Sequence, residues 1–353
     1  MEITKKDIKE VLDYFSIPIL PSKPNYWLIR TESGTFYNTF KKGNYVSIGF
    51  DKVNLDDISL KDNGKLKESV AILYPDTKRP GTIVSQLRKF KYNVKKGDII
   101  IIPDKNSKNL CIGQAISDIY QINSTAKNKE IKNENYTYQK RINTNWIAEV
   151  PKSNFDLYVY KLLNSHQGIV SCNDYKGFIN RMIFPIYCQD GDIHLTFNIT
   201  KKDNISLDDY SIMFDTLKYA IDLFNKMTNS NISKNINIKL TANSPGILEI
   251  LGNPITMSII ILMFFAAGGK VTLSWKKEEK NINIETDGLI DKIIKFMKQL
   301  HNDEFKKLKL FVDKSTSGLE LTTKDTPSVK ENANITEEII ENKKEDNQTS
   351  LFD

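Results

Sequence analysis

The apolar positions change period several times along this chain, and the changes mark its predicted elements. Thr4 to Phe15 puts Ile8, Val11, Leu12 and Phe15 on one helical face, with Thr4 and Asp7 at capping spacing. Pro18, Pro21 and Pro24 end that helix. Two short apolar runs follow, Tyr26 to Ile29 and Val46 to Phe50, which read as strands. Between them lie a turn at Ser33-Gly34 and a ring-rich connection through Phe36, Tyr37, Phe40 and Tyr45, of which Phe40 and Tyr45 are expected in the core. The stretch "GTIVSQLRKFKYNVKKGDIIIIPD" predicts a basic amphipathic helix, a Lys-Gly-Asp turn at Gly97-Asp98 and an apolar strand from Ile99 to Ile102. "IGQA", Ile112 to Ala115, follows it. A polar, Lys/Asn-rich loop runs from Asn123 to Asn145, and Trp146 to Val150 reads as a last strand. Helices are expected over Ser153 to Leu163 and around Ser171 to Ile183.

A second alternation starts near Phe184. Ile193 to Ile199 reads as a strand. Ser206 and Asp209 cap a helix with Tyr210, Met213, Phe214, Leu217, Ile221 and Phe224 at helical spacing. Ile236 to Thr241 reads as a strand, and Asn243 to Pro254 as a turn-rich passage. The most apolar run, Ile255 to Ala267, sits between Pro254 and Gly268-Gly269. Its 13 residues make a helix of roughly 20 Å, short of the ~30 Å a bilayer core demands, so it is expected to be a buried core helix. Strands at Val271 to Trp275 and Asn281 to Glu285, a helix from Leu289 to Leu300 and a strand at Leu308 to Val312 complete the pattern. After Thr323 the chain is polar and acidic, and is expected to be disordered.

Composition changes this picture in two places. The net charge of +6 is unevenly placed: residues 1–184 hold 29 Lys and Arg against 19 Asp and Glu, residues 185–322 hold 17 of each, and residues 323–353 hold 4 against 8. The whole basic excess lies in the first half, as an electrostatic footprint on phosphates requires, although Lys-rich coding alone also produces such an excess. Cys111, Cys172 and Cys188 are odd in number and widely spaced, which supports neither a disulfide framework nor a zinc site. They are expected to pack as small apolar groups in a reducing cytoplasm. The start, "MEITKKDIKE", lacks the apolar stretch of a secretory signal.

An aromatic-Trp pair at a strand start (Tyr26, Trp27), then "IGFD", a Gln-x-x-Arg helix ending in Lys-Gly-Asp with an apolar strand, and finally "IGQA" together resemble the EVE branch of the PUA-like domains over residues 24–165. The resemblance implies a small β-barrel that reads nucleic acid, in several relatives by lodging a modified base in an aromatic pocket, and it places relatives in modification-dependent restriction systems. Phe50 stands where many relatives carry Trp. A flipped base needs stacking faces, edge contacts and cations for its backbone. Tyr26, Trp27, Phe50 and Trp146 are the candidate walls, Asp51 and Gln86 the edge contacts, and Arg30, Arg88 and Lys89 the phosphate ligands. Each ring could instead be a core position, and each cation part of a solvated face.

The expected fold class is α+β: an N-terminal PUA/EVE-like β-barrel with helices (24–165) behind a helix and linker (1–23), a linking helix (166–184), a smaller α+β domain of unassigned role (185–322) and a disordered tail (323–353). At the tip of that tail "QTSLF", Gln348 to Phe352, resembles the bacterial sliding-clamp-binding peptide, which implies a Gln amide (Gln348) and two apolar anchors (Leu351, Phe352) for a preformed pocket, with Thr349 replacing the usual Leu. His166, His194 and His301 are isolated, and Asp190, Asp192 and Glu249 lack a nuclease spacing. No catalytic residue, metal or cofactor is therefore assigned. The resulting expectation is a DNA-binding sensor or adaptor of an anti-phage or restriction-type system, cytoplasmic, with modified DNA, the sliding clamp and an effector protein as partners, and no membrane. The alternatives are a modification-dependent nuclease with its site in 185–322, and a PUA-like RNA-binding regulator.

Overall fold

The computed structural model describes residues 9, 12–13, 17–20, 23–59, 63–122, 138–156, 158–165, 167–228, 231–232, 236–240, 246–266 and 303–323. The described residues form two compact units, one from Lys23 to Ile183 and one from Phe184 to Thr323 that also takes in the amino-terminal residues.

The first unit is built on a seven-stranded mixed sheet. In chain order its elements are β1 (Tyr26–Ile29), α1 (Tyr37–Gly43), β2 (Tyr45–Ile48), α2 (Asn63–Leu73) and α3 (Pro80–Arg88), which runs on into a π-helical turn, Lys89–Asn93. Then come β3 (Ile99–Pro103), β4 (Asn109–Ala115), β5 (Tyr120–Gln121), β6 (Lys140–Pro151), α4 (Val159–Leu163), β7 (Ile169–Ser171) and α5 (Lys176–Ile183). The strand order is β2-β6-β4-β3-β1-β7, with β5 on β6; β1 and β3 are parallel and the other pairs antiparallel. Central parallel strands are covered on both faces, which is why "YWLI" and "IIIIP" read as unbroken apolar runs. On one face Trp27, Ile29, Ile100, Ile102 and Cys111 share a core with Phe40, Val70, Leu87 and Phe90 of the helices. Tyr26 lies on the other, where its hydroxyl donates to Asn180 of α5.

Several expectations are revised in this unit. The ring-rich connection after β1 contains a helix, because Tyr37 and Phe40 fall on one face and Asn44, in left-handed conformation, ends it. Residues 140–145, expected in the polar loop, open β6, where Lys140 and Ile142 pair with β2; residues 123–137 lie outside the described ones. The expected helix from Ser153 is only a short turn before α4. Residues 166–184 are not a linker: β7 pairs with β1 and α5 buries Ile179, Met182 and Ile183, so the unit extends to Ile183.

The second unit carries β8 (Ile186–Gln189), β9 (Asp192–Ile199), α6 (Leu207–Thr228), β10 (Ile236–Leu240), β11 (Gly246–Gly252), α7 (Pro254–Ala266), α8 (Asp303–Gly318) and β12 (Leu321–Thr323). Its five-stranded antiparallel sheet has the order β10-β11-β9, with β8 and β12 pairing successive parts of β9. Ile193, Leu195, Phe197, Leu248 and Ile250 form one core with Met213, Leu217, Ile221 and Phe224 of α6, Met257 and Ile260 of α7, and Leu308 and Val312 of α8. Burial of each such side chain contributes roughly 1.5–3 kcal/mol. The capping box at Ser206 is present: Asp209 N donates to Ser206 Oγ and Ser206 N to Asp209 Oδ2, both at 3.1 Å. The amino-terminal segment belongs here too, since Ile19 bridges Cys188 and Leu12 and Ile17 enter this core.

Two expected elements change type. "GILEILG" is strand β11 rather than a turn, its apolar residues pairing with both β9 and β10. Leu308 to Val312 is helical, because Leu308, Val312, Ser315 and Leu319 lie on one buried stripe. The expected strands at 271–275 and 281–285, the helix at 289–300, most of the helix at 4–15 and the tail from 324 lie outside the described residues. Among the described residues no helix is long and apolar enough to cross a membrane.

Candidate nucleic-acid interface

The three rings nearest the sheet centre are interior. Tyr26 is 3% exposed; its hydroxyl donates to Asn180 Oδ1 at 2.7 Å, and burial pushes its pKa up to about 12. Trp27 is 6% exposed and its indole N–H donates to Asp98 Oδ2 at 2.8 Å. The same carboxylate accepts the backbone N–H groups of Asn25 and Lys95 at 2.9 Å. The aromatic-Trp and Lys-Gly-Asp motifs therefore meet as one structural lock. Trp146 is 5% exposed, donates to the Phe40 carbonyl at 3.3 Å and packs over Gly113. The polar atoms of all three are bonded within the chain; Trp27 and Trp146 pack in the core, and the Lys176 ammonium stands 5.5 Å from the Tyr26 ring centroid.

Phe50 and Asp51 stand at the end of β2 and remain half-buried. Phe50 has φ +66°, a left-handed conformation that costs a ring residue about 1 kcal/mol or more. Its carbonyl accepts the Lys140 ammonium at 3.1 Å, and Asp51 Oδ1 accepts both that ammonium at 3.4 Å and Gln139 N at 2.9 Å. The Lys140 side chain is fully buried, and desolvation lowers its pKa against the pull of Asp51. Asp51 thus neutralises a buried cation. The Phe50 ring stands edge-on to Tyr74, 5.7 Å between centroids and 88° between planes, with the Lys52 ammonium 5.3 Å from the Tyr74 centroid. Half-buried Tyr138 closes on Gly49, where an added Cβ would come 3.0 Å from its ring.

The predicted cations separate. Arg30, half-buried, donates to the Leu163 and Ser165 carbonyls at 2.5 Å each and so ties the 163–165 turn to the end of β1. Arg88 and Lys89 line a groove of about 430 Å³ between α2 and α3, with Lys67, Gly81, Val84, Ser85 and Asn93. Arg88 donates to the Ser59 carbonyl, and Lys89 to Gln167 Oε1 at 3.1 Å. Gln86 projects from a different side of α3, against Gly168, where a Cβ would lie 2.3 Å from its Oε1. The loop that leaves Phe50 is tied to the same helix: Lys91 donates to the Leu55 and Ile58 carbonyls and Tyr92 to Ile58. Sequence reasoning missed Lys67, Ser85, Asn93, Tyr74, Tyr138 and Lys140. The periodicity of α3 could have given Ser85, four residues before Lys89; nothing local marked Tyr138 or Lys140.

The second unit holds a polar cluster on the sheet face opposite its core. Glu249, 1% exposed, is hydrogen-bonded through Oε1 to His194 Nδ1 at 2.7 Å, and the His194 ring stacks on Tyr187 at 4.5 Å. Lys239 lies 3.8 Å from the other Glu249 oxygen. Asp190 lies in the β8–β9 turn and Asp192 opens β9. Among the described residues no group of three or more His, Cys, Asp or Glu is placed to hold a metal. Cys111, Cys172 and Cys188 are buried free thiols whose pKa values burial pushes up, to about 12, 12 and 11.

The chain is thus of mixed α+β class, with a basic groove and a half-buried ring cluster on its first unit. Residues 26–167, less than half of the chain, match the family model described as a domain of unknown function (DUF8426). No curated protein matches. Among solved structures, the YTH domain of the Zygosaccharomyces rouxii MRB1 protein, crystallised in complex with N6-methyladenosine RNA, is 10% identical and aligns over 47% of this chain and 90% of its own, with a TM-score of 0.26. At that score the likeness assigns neither a fold nor a ligand here.

Proposed function

We propose that the first unit reads nucleic acid, with one base stacked against Phe50 and Tyr74. The observation that carries this reading is the edge-on Phe50–Tyr74 pair, half-buried where Tyr26, Trp27 and Trp146 are closed, and held by a left-handed residue whose carbonyl bonds a buried ammonium. Strained backbone persists where its surroundings over-determine it, and such places concentrate at ligand sites. A base with a π-face can stack there while Lys52 and the cations of the groove balance phosphate charge. In its finer form the reading is a sensor or adaptor that recognises a modified base in DNA, in a restriction-type or anti-phage setting. A screen of the full chain against DNA and RNA oligonucleotides bearing different modified bases tests it. The expected result is one base preferred by tenfold or more, with the preference removed in Tyr74→Ala; equal affinity for every base would defeat base reading, and preference for RNA would favour the regulator.

Docking on the sliding clamp is a second, sequence-carried part of the proposal. Gln348, Leu351 and Phe352 supply the amide and the two apolar anchors, and they lie outside the described residues. Recovery of the chain on immobilised clamp, with and without residues 348–353, decides it. Equal recovery removes the clamp as a partner.

A further inference from the structure

We infer that the groove between α2 and α3 is a phosphodiester subsite, so that the ligand is a single-stranded segment running from the Phe50–Tyr74 rings to Lys67, Arg88 and Lys89. This rests on the nucleic-acid reading above and adds a strand class and a direction to it.

The lining carries the inference. Gly81, Ser85, Arg88, Lys89 and Asn93 recur on one side of α3 and its π-helical turn, and Lys67 faces them from α2. The groove therefore offers three cations, a hydroxyl and an amide, and among the described residues no carboxylate lines it. Among the described residues of the neighbouring loop, Asp56 and Asp57 are exposed and do not line the groove. Among the described residues exposed Lys67 makes no ion pair and the Lys89 ammonium bonds only the neutral amide of Gln167, a partner that an anion can displace. Such a set matches a phosphate by charge and by hydrogen-bond donors.

Geometry then connects groove and rings. Lys67 and Tyr74 are seven residues apart on α2 and its continuation, where Tyr74 N still donates to the Val70 carbonyl at 2.9 Å. Two helical turns put them on one side of the helix, about 10 Å apart along its axis. That distance matches roughly three stacked nucleotides at about 3.4 Å each. A second connection runs through the loop after Phe50, whose carbonyls at Leu55, Ile58 and Ser59 are bonded by Lys91, Tyr92 and Arg88. A base laid against half-buried rings must be unstacked from a partner strand, and a single strand meets that condition without the cost of opening a duplex.

Fluorescence anisotropy with the full chain tests this, using labelled twelve-residue oligothymidylate and the same strand annealed to its complement, from 50 to 300 mM salt. The variants are Lys67→Ala with Lys89→Ala, whose fold is checked by thermal melting, and separately Tyr74→Ala. For the double variant the slope of log affinity against log salt should flatten by about 1.4, that is ~0.7 for each cation removed. Tyr74→Ala should weaken binding about five- to a hundredfold and leave the slope unchanged. A double variant with wild-type slope and affinity would overturn the phosphate site while leaving base reading intact. Equal or tighter binding of the duplex would overturn the strand class, and absence of binding to any strand would overturn the nucleic-acid reading as well.

Discussion

Tyr26 shows how one residue's surroundings convert a candidate ligand group into a structural one. Its ring lies under α5, its hydroxyl donates to Asn180, and burial raises its pKa from 10.0 to about 12. Because the folded protein holds this proton more tightly than the unfolded chain does, the associated stability is complete below pH 10. It falls away as pH rises from 10 toward 12, by about 3 kcal/mol in total. Tyr26→Phe should abolish that part of the alkaline loss while costing about 1 kcal/mol at neutral pH for the missing hydrogen bond. Denaturant unfolding at pH 7 and pH 11 checks both; an unchanged alkaline slope in the variant would show that another group titrates. The residue types of a base pocket and of a tight core are the same, large rings with one polar handle, so sequence alone offered Tyr26, Trp27, Phe50 and Trp146 as equals. What separated them was distant in sequence: Asn180 for Tyr26, Asp98 for Trp27, and the fully buried Lys140 beneath Phe50.

Elements were legible where their period was local, as in α6, whose capping box and buried stripe fall where the spacing puts them, and in β3. Leu308 to Val312 misled because a short apolar run fits either period, and only the continuation to Ser315 and Leu319 reveals the helix. β11 was hidden behind its Asn, Ser, Pro and Gly neighbours, yet its strand partners on both edges override those breakers. The β4–β6 pairing carries a feature no local pattern announces. The register shifts between Ile112 and Gly113, leaving Ile147 as an extra residue, and the Trp146 ring takes the space beside Gly113. A Cβ at 113 would lie 2.5 Å from the Asn145 carbonyl oxygen and 2.7 Å from Trp146 Cε3, both within the sheet. Gly113→Ala should therefore destabilise the first unit by roughly 1–3 kcal/mol through forced displacement of the strand pair. Thermal unfolding would show this as a lowered midpoint, and a neutral outcome would mean that the bulge relaxes freely.

The whole molecule divides its tasks along the line that the charge already drew. The basic excess, the groove and the half-buried rings all belong to the unit from Lys23 to Ile183, whereas residues 185–322 balance their charges and bury a separate apolar core. Contiguous cores of this kind unfold as separate cooperative units, each with its own stability. Leu217, 2% exposed in the second core, offers a way to perturb one unit alone. Leu217→Ala should cost that unit about 2–5 kcal/mol by lost burial and an unfilled cavity. In calorimetry the variant should lower one transition and leave the other in place. Below the lowered transition its affinity for single-stranded oligonucleotide should equal that of the unaltered chain, because no residue of the ring cluster or groove contributes to the second core. A fall in affinity at temperatures where both units remain folded would mean that the second unit contributes to binding, and the polar face carrying His194, Glu249 and Lys239 would then be the place to look.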